Sequence, residues 1–172
     1  FNGELKWNQR AHAAVVDMSV GSRDLQQCAD AVMRLRTEHL YSVGRQDDIA
    51  FNFTSGFRAE WKRWRKGERI VVSNDRCTWI PKGRPDSSHS ALISYLQQVF
   101  SYAGTLSLAA ELKAAPTDSV RAGDVYIQGG SPGHAVIVVD VARSNSGQYA
   151  MLLAQSYMPA QEIHVLRNHR EE

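Results

Sequence analysis

Long hydrophobic runs are missing from this chain of 172 residues, although 43% of them are hydrophobic. No stretch is long and apolar enough to cross a membrane as a helix, so no transmembrane segment is expected and the apolar residues belong to a folded core. The length suits one domain over residues 1–172 better than two. Charge of one sign is scarce as well. The formal net charge is +2, and no lysine or arginine block is long enough for a nucleic-acid arm, which removes nucleic acid from the expected partners. There are only two cysteines, Cys28 and Cys77, with neither a disulfide framework nor a metal-ligand spacing around them. His12, His39, His89, His134, His164 and His169 show no paired ligand spacing, and Gly129, Gly130 and Gly133 do not open a helix as a phosphate loop would. No metal and no cofactor is therefore expected. The chain begins at Phe1 rather than at methionine, from which a leader or upstream segment lying outside it is expected.

What is present is organised around residues 122–140, AGDVYIQGGSPGHAVIVVD. Two short apolar runs, 124–128 and 135–141, are split by Gly129, Gly130, Ser131, Pro132 and Gly133, which predicts a hairpin. The block Val136, Ile137, Val138 and Val139 suits a strand buried on both faces. His134 stands at the mouth of that strand, behind glycines expected to leave the approach to it open. A histidine held there is placed for proton transfer near neutral pH, and equally for merely ending a strand.

The rest of the chain supplies the layers. Residues 11–18 read as a first strand, and Ser22 or Asp24 as the cap of a helix running to about Tyr41. Leu25, Cys28, Val32, Leu35 and His39 or Leu40 recur at helical spacing, which puts Cys28 in the second turn on the apolar face. There a thiol packs as a small hydrophobe, though Cys28 is also the obvious thiol nucleophile. Residues 49–80 form an aromatic and basic segment: a strand at 49–53, a short helix through Phe57, Trp61 and Trp64, and a hairpin of 68–73 with 77–80 around Asn74 and Asp75. Trp61 and Trp64 read either as an inward-facing pair or as a platform for sugar rings. Residues 81–90 are turn-rich and exposed; a second long helix runs from Ser88 or His89 to Ala103, and 106–112 forms a helical or irregular link. Asp86, Ser87, Ser88, His89 and Ser90 crowd the start of that helix, either as capping groups or as a reactive cluster at its positive end. Strands at 149–155 and 162–166 complete the sheet, and the tail from Arg167 is polar and frayed. The expected fold is α+β, with a mainly antiparallel sheet of the last four strands and the helix from Ser88 packed across one face.

The stretches LQQCADAVMRLR, NFTSGF, VFSYAGTLSL, GDVYIQGGSPGHAVIVVD and LLAQSYMPAQEIHVL resemble an uncharacterised bacterial family, domain of unknown function 4846. That resemblance implies an exported, periplasmic or envelope-anchored protein, in a family whose members tend to continue past the position of Glu172. A second resemblance is to NlpC-type cell-wall cysteine peptidases, and it implies a papain-like scaffold of antiparallel sheet and two long helices. In that family an Asp-Cys-Ser opens a helix, a Gly-Asp opens the next strand, a histidine the one after, and a polar residue on a third strand orients the histidine. Here Asp86, Ser87 and Ser88, then Gly123 and Asp124, then His134, then Gln155 or His164 follow the same order, with serine where the family has cysteine. A serine hydroxyl needs a strong base and an oxyanion hole to do what a thiolate does readily.

Two functions follow as expectations. One is a papain-like hydrolase of peptide or amide bonds, with peptidoglycan as its substrate: His134 is the base, Gln155 or His164 orients it, and Cys28, Ser87 or Ser88 is the nucleophile. The other is an inactive envelope domain that binds a glycan or peptide in a groove lined by Trp61, Trp64, Tyr157 and His134. In both, Gly130 and Gly133 belong to the binding surface.

Overall fold

The β-branched run behind the glycine turn becomes a ten-residue strand, and the other elements assemble beside it. The computed structural model describes residues 1–74 and 76–168. In chain order the elements are β1 (His12–Val15), α1 (Cys28–Ser42), β2 (Ala50–Asn52), β3 (Arg58–Glu60), α2 (Trp61–Trp64), β4 (Glu68–Ser73) and β5 (Arg76–Pro81). They continue with α3 (His89–Phe100), α4 (Thr105–Glu111), β6 (Val125–Gln128), β7 (His134–Arg143), β8 (Tyr149–Gln155) and β9 (His164–Leu166). Single 3-10 turns occur at Gln46–Asp48 and Thr117–Ser119.

The protein is a mixed α/β domain with antiparallel sheets. Five strands form the main sheet in the order β1-β9-β8-β7-β6, with every neighbouring pair antiparallel. The last four strands pair as their short connections require, and β1 adds an edge strand whose residues after His12 are exposed. That edge is shorter than the alternating pattern at 11–18 predicts. After Val15 the chain stays tied only through the Val16 amide, which donates to the carbonyl of Ile163 at 2.8 Å. β2 and β3, and β4 and β5, make two separate hairpins. The first replaces the opening half of the helix expected through Phe57, because the Phe53 amide closes a turn onto the carbonyl of Phe57 at 2.9 Å. Only Trp61–Trp64 is helical there. Residues 81–90 are exposed, as their composition implies, and the 106–112 link takes its helical form as α4. Asp75 and the tail positions 169–172 lie outside the described residues.

The helix on the sheet is α1, which packs against β7 and β8, and not α3 as expected. The reason is visible in α1 itself. Six consecutive residues, Ala29, Asp30, Ala31, Val32, Met33 and Arg34, are buried, more than one face of a helix can supply at 3.6 residues per turn. A helix hydrophobic on several sides needs cover on several sides. α3 packs on α2 and lies along the outer side of α1, where the His89 ring nitrogen Nε2 meets the Glu38 carboxylate at 2.9 Å and the Tyr41 hydroxyl donates to the carbonyl of Ser87 at 3.0 Å. Leu92, Tyr95, Leu96 and Val99 give α3 its buried stripe. Tyr95 donates to the carbonyl of Ala59 at 2.9 Å, and burial pushes its hydroxyl above the ordinary range, so it stays a donor.

The start of α1 also differs from expectation. Its cap is Gln27, and the Asp30 carboxylate accepts from the Gln27 amide at 3.0 Å, which is half of a capping box. Asp24 is engaged elsewhere, accepting from the amide of Ala160 at 2.6 Å. Cys28 therefore sits at the first helical position rather than in the second turn. The segment before it is pinned to the sheet by Ser156, whose buried hydroxyl lies 2.9 Å from the carbonyl of Gln26 and 2.8 Å from that of Gln161. Replacing Ser156 with alanine removes the one hydroxyl proton shared by these carbonyls and leaves the buried Gln26 carbonyl without its donor, and urea unfolding should show a loss of about 1–3 kcal/mol. A loss under about 0.5 kcal/mol would mean that packing alone seats the start of α1.

Candidate functional site

Antiparallel pairing makes one end of the main sheet the start of β7 and β9 and the end of β8, and a polar residue stands at each of these three positions. His134 opens β7, Gln155 closes β8 and His164 opens β9. The Nε2 of His134 lies 2.7 Å from Oε1 of Gln155, and Nε2 of Gln155 lies 3.4 Å from Nε2 of His164, its register partner. Nδ1 of His164 is 3.0 Å from the carbonyl oxygen of Glu162. The His12 ring stands edge-on to His164 with centroids 6.3 Å apart. Tyr157, which is 53% exposed, packs edge-to-face against His134 at 5.5 Å. The strands fix the backbone of each residue, and the side chains fix one another.

Ser156 follows Gln155 directly, so its bond to Gln26 and the bond from Ala160 to Asp24 bring the entry of α1 to this same end of the sheet. Cys28 is a free, half-buried thiol at the first position of α1. The positive end of a helix favours an anion, and the amides of its first turn have no partners within the helix. The surroundings are buried and polar. Gln26 is 2% exposed, and its Nε2, with Oδ1 of Asp30 and Oγ1 of Thr37, has no hydrogen-bond partner among the described residues. Burial pushes the carboxyl of Asp30 up to about 7, against the opposing pull of the amides of Gln27 and Asp30. Below that pH a neutral Asp30 places no negative charge beneath the helix end. A cleft of about 1010 Å³ opens beside Gln155, Tyr157 and His164 and is bounded by the N-terminal segment, including Trp7, which is 94% exposed.

Several expected members stand elsewhere. Ser88 caps α3, its hydroxyl accepting from the amide of Ala91 at 3.2 Å, and Ser87 meets Tyr41 near the far end of α1. Glu38, which holds His89 there, is about 15 Å along the helix axis from Cys28 at ~1.5 Å per residue. The cluster from Asp86 to Ser90 therefore does not face His134; its polar residues serve as caps and as links between the two helices.

Trp61 and Trp64 are core residues, 0% and 7% exposed, both packed on Tyr95 with centroids 5.7 and 5.9 Å away. Their inward reading holds, and they line no surface groove. The glycines before His134 do not clear space either. A Cβ on Gly129 would come within 2.9 Å of Cβ of Ala109, and one on Gly133 would overlap Thr105 and the carbonyl of Gly130. Thr105 also donates to that carbonyl at 3.1 Å. Gly129 and Gly133 let the turn pack against α4 and fold on itself, so close approach of the chain to itself, and not of a ligand, explains Gly133, while Gly130 is required by its positive φ of 127°.

Gln26, Asp30 and Ser156 were not among the expected site residues. Asp30 had a signal, since an acidic residue three positions after Gln27 is the spacing of a capping box. Reading it would have moved the helix start to Gln27 and Cys28 to the helix end. Among the described residues no cluster of histidine, cysteine and carboxylate side chains could hold a metal ion, and no helix is long and apolar enough to cross a membrane. In comparisons with known proteins, a family model described as Domain of unknown function (4846) matches residues 1–172. No curated protein and no solved structure matches.

The raised Asp30 carboxyl ties stability to pH with a definite sign. The folded state holds this proton to about 7 and the unfolded chain only to the ordinary 3.8, so the contribution of Asp30 is fully present below 3.8 and is lost as pH rises toward 7. Replacing Asp30 with asparagine keeps an acceptor for the Gln27 amide and removes the titration. The variant should match the parent near pH 4 and exceed it by up to roughly 4 kcal/mol at pH 8. Urea unfolding at both pH values checks this, and parallel pH curves would refute it.

Proposed function

The chain belongs to the family of domain of unknown function 4846, whose description states no activity, and from that premise we propose that it is a papain-like, NlpC-type cysteine hydrolase of peptide or amide bonds. The observation that carries the reading is the 2.7 Å contact of His134 Nε2 with Gln155 Oε1, at the sheet end that receives the first residue of α1, Cys28. Of the three nucleophiles the sequence offers, Cys28 is favoured because Gln26, two residues before it, is bonded to Ser156 beside Gln155, whereas Ser87 meets Tyr41 and Ser88 caps α3.

In this reading Gln155 accepts from Nε2–H of His134 and turns Nδ1, as an unprotonated base, toward the thiol. The Cys28 proton passes to Nδ1 and the thiolate adds to the substrate carbonyl. First-turn amides of α1 stabilise the oxyanion. Collapse breaks the C–N bond, the leaving amine takes the proton from His134, and a thioester to Cys28 remains. Water, deprotonated by His134, then attacks the thioester carbonyl, releasing the carboxylate product and the thiol. The cleft beside Tyr157 and Gln155 offers room for an extended peptide. In this reading the substrate class is peptidoglycan stem peptides and the location the cell envelope.

Iodoacetamide tests the nucleophile directly, because the second free cysteine, Cys77, is half-buried and provides a control in the same molecule. At neutral pH Cys28 should be alkylated at least about tenfold faster than Cys77, and His134→Ala should remove the difference. Cleavage of purified peptidoglycan stem peptides should disappear in Cys28→Ala. Equal labelling of the two cysteines, or cleavage that survives Cys28→Ala, would sink the proposal.

A further inference from the structure

We infer that His164 is a positioning residue that acts through Gln155 to hold His134 in its Nε2-protonated tautomer, an inference that rests on the reading of His134 as the base of the site. The derivation starts from a group with no choice. The carbonyl oxygen of Glu162 can only accept, so Nδ1 of His164, 3.0 Å away, carries a proton and donates it. In a neutral ring the other nitrogen, Nε2, is then an acceptor. It faces Nε2 of Gln155 at 3.4 Å, the amide nitrogen, which can only donate. That places Oε1 of Gln155 toward His134, where at 2.7 Å it can only accept, so Nε2 of His134 is the protonated nitrogen and Nδ1 keeps its lone pair. One backbone carbonyl thus sets the direction of three successive hydrogen bonds and the tautomer at the end of them.

Glutamine is the link that needs this help. A carboxylate at position 155 would accept from His134 through either oxygen, whereas an amide has two unlike ends. Turned over, Gln155 would present its nitrogen to His134, which would have to accept at Nε2 and carry its proton on Nδ1, leaving no base. His164 opposes that turn because its Nε2 has a lone pair and no proton. A ring with a proton on both nitrogens could only donate and would reverse the preference, so the lone pair on Nε2 of His164 is what sets the direction. The ionisable groups around His164 are His12 on β1, Glu162 two residues before it, and Glu4 and Lys6, which line the same cleft.

Two-bond proton–nitrogen correlation spectra of the histidine rings, recorded on the full chain at pH 8, report tautomers without any substrate. The parent should show His134 protonated at Nε2 and His164 at Nδ1. His164→Leu should turn His134 into a mixture of tautomers and slow alkylation of Cys28 by iodoacetamide about tenfold, the worth of one hydrogen bond. In a Gln155→Glu background the same His164→Leu change should leave the His134 tautomer as it was, since a carboxylate has no direction to set. Retention of the Nε2 tautomer in His164→Leu overturns the inference. Equal loss in both backgrounds also overturns it, because damage to the sheet would not depend on residue 155. A fixed tautomer relay with Cys28 alkylation indifferent to His134→Ala would leave this inference standing and remove the hydrolase reading, so the two failures are distinct.

Discussion

The enclosure of α1 is the constraint on which the rest of the structure depends. A fifteen-residue helix with six consecutive buried residues cannot rest on a surface; it has to be covered on several sides, by β7 and β8, by α4 and the Gln46–Asp48 turn, and near its end by the start of α3. Ala29 and Ala31, 3% and 0% exposed, are small enough to admit close neighbours, and Ala135 on β7 and Ala154 on β8 are fully buried in the same core. The cost of this arrangement is polar. Asp30 and Arg34 are buried with the apolar residues, and they are answered locally, Asp30 by the amide of Gln27 and Arg34 by Glu38 at 2.7 Å. A buried charge left alone would be far more costly than a partnered one.

The enclosure decides where chemistry can occur. The middle of the sheet and helix is packed and uniform, but at the ends regular hydrogen bonding stops and side chains take over the unpaired groups. His134, Gln155 and His164 stand where three strands start or stop, and Cys28 stands where a helix starts. The Ser156 hydroxyl joins these two kinds of terminus, because its contact with the Gln26 carbonyl registers the helix start against the strand ends. The other end of α1 carries its own polar group, Glu38 with His89 and Arg34, but that group is a closed set of partners with the Ser88 cap beside it.

Hydrophobic periodicity served well where an element has one buried face and poorly where it has several or none. The strands at 149–155 and 68–73 have the bounds expected of them, and α3 starts at the cap that Ser88 provides. For α1 the apolar stripe with Leu25 was extended backward through residues that are not helical, which placed Cys28 in the wrong turn. The glycines at 129 and 133 illustrate a different ambiguity. Glycine permits close approach of any atoms, and whether those belong to a ligand or to Thr105 and Ala109 is a matter of where α4 lies. Trp61 and Trp64 raise the same question, and their burial in the core against the equally buried Tyr95 answers it.

Local physics, written in the order of residues, was sufficient for the elements themselves. Glycine and proline punctuate the hairpin, β-branched residues build β7, Ser88 caps α3, and the brevity of the links after Gly123 forces an antiparallel sheet. His134 and Gln155 could be named from the chain because each ends a recognisable strand. Which helix start lies near them could not, since Cys28 and Ser88 both stand at helix starts, Cys28 at that of α1 and Ser88 at that of α3. That choice is made by contacts between residues more than a hundred positions apart, such as Ser156 with Gln26 and Ala160 with Asp24. Such contacts form because a buried carbonyl must find a donor and the amide of buried Ala160 an acceptor once the core closes, and no local pattern of the chain encodes which partner will be within reach.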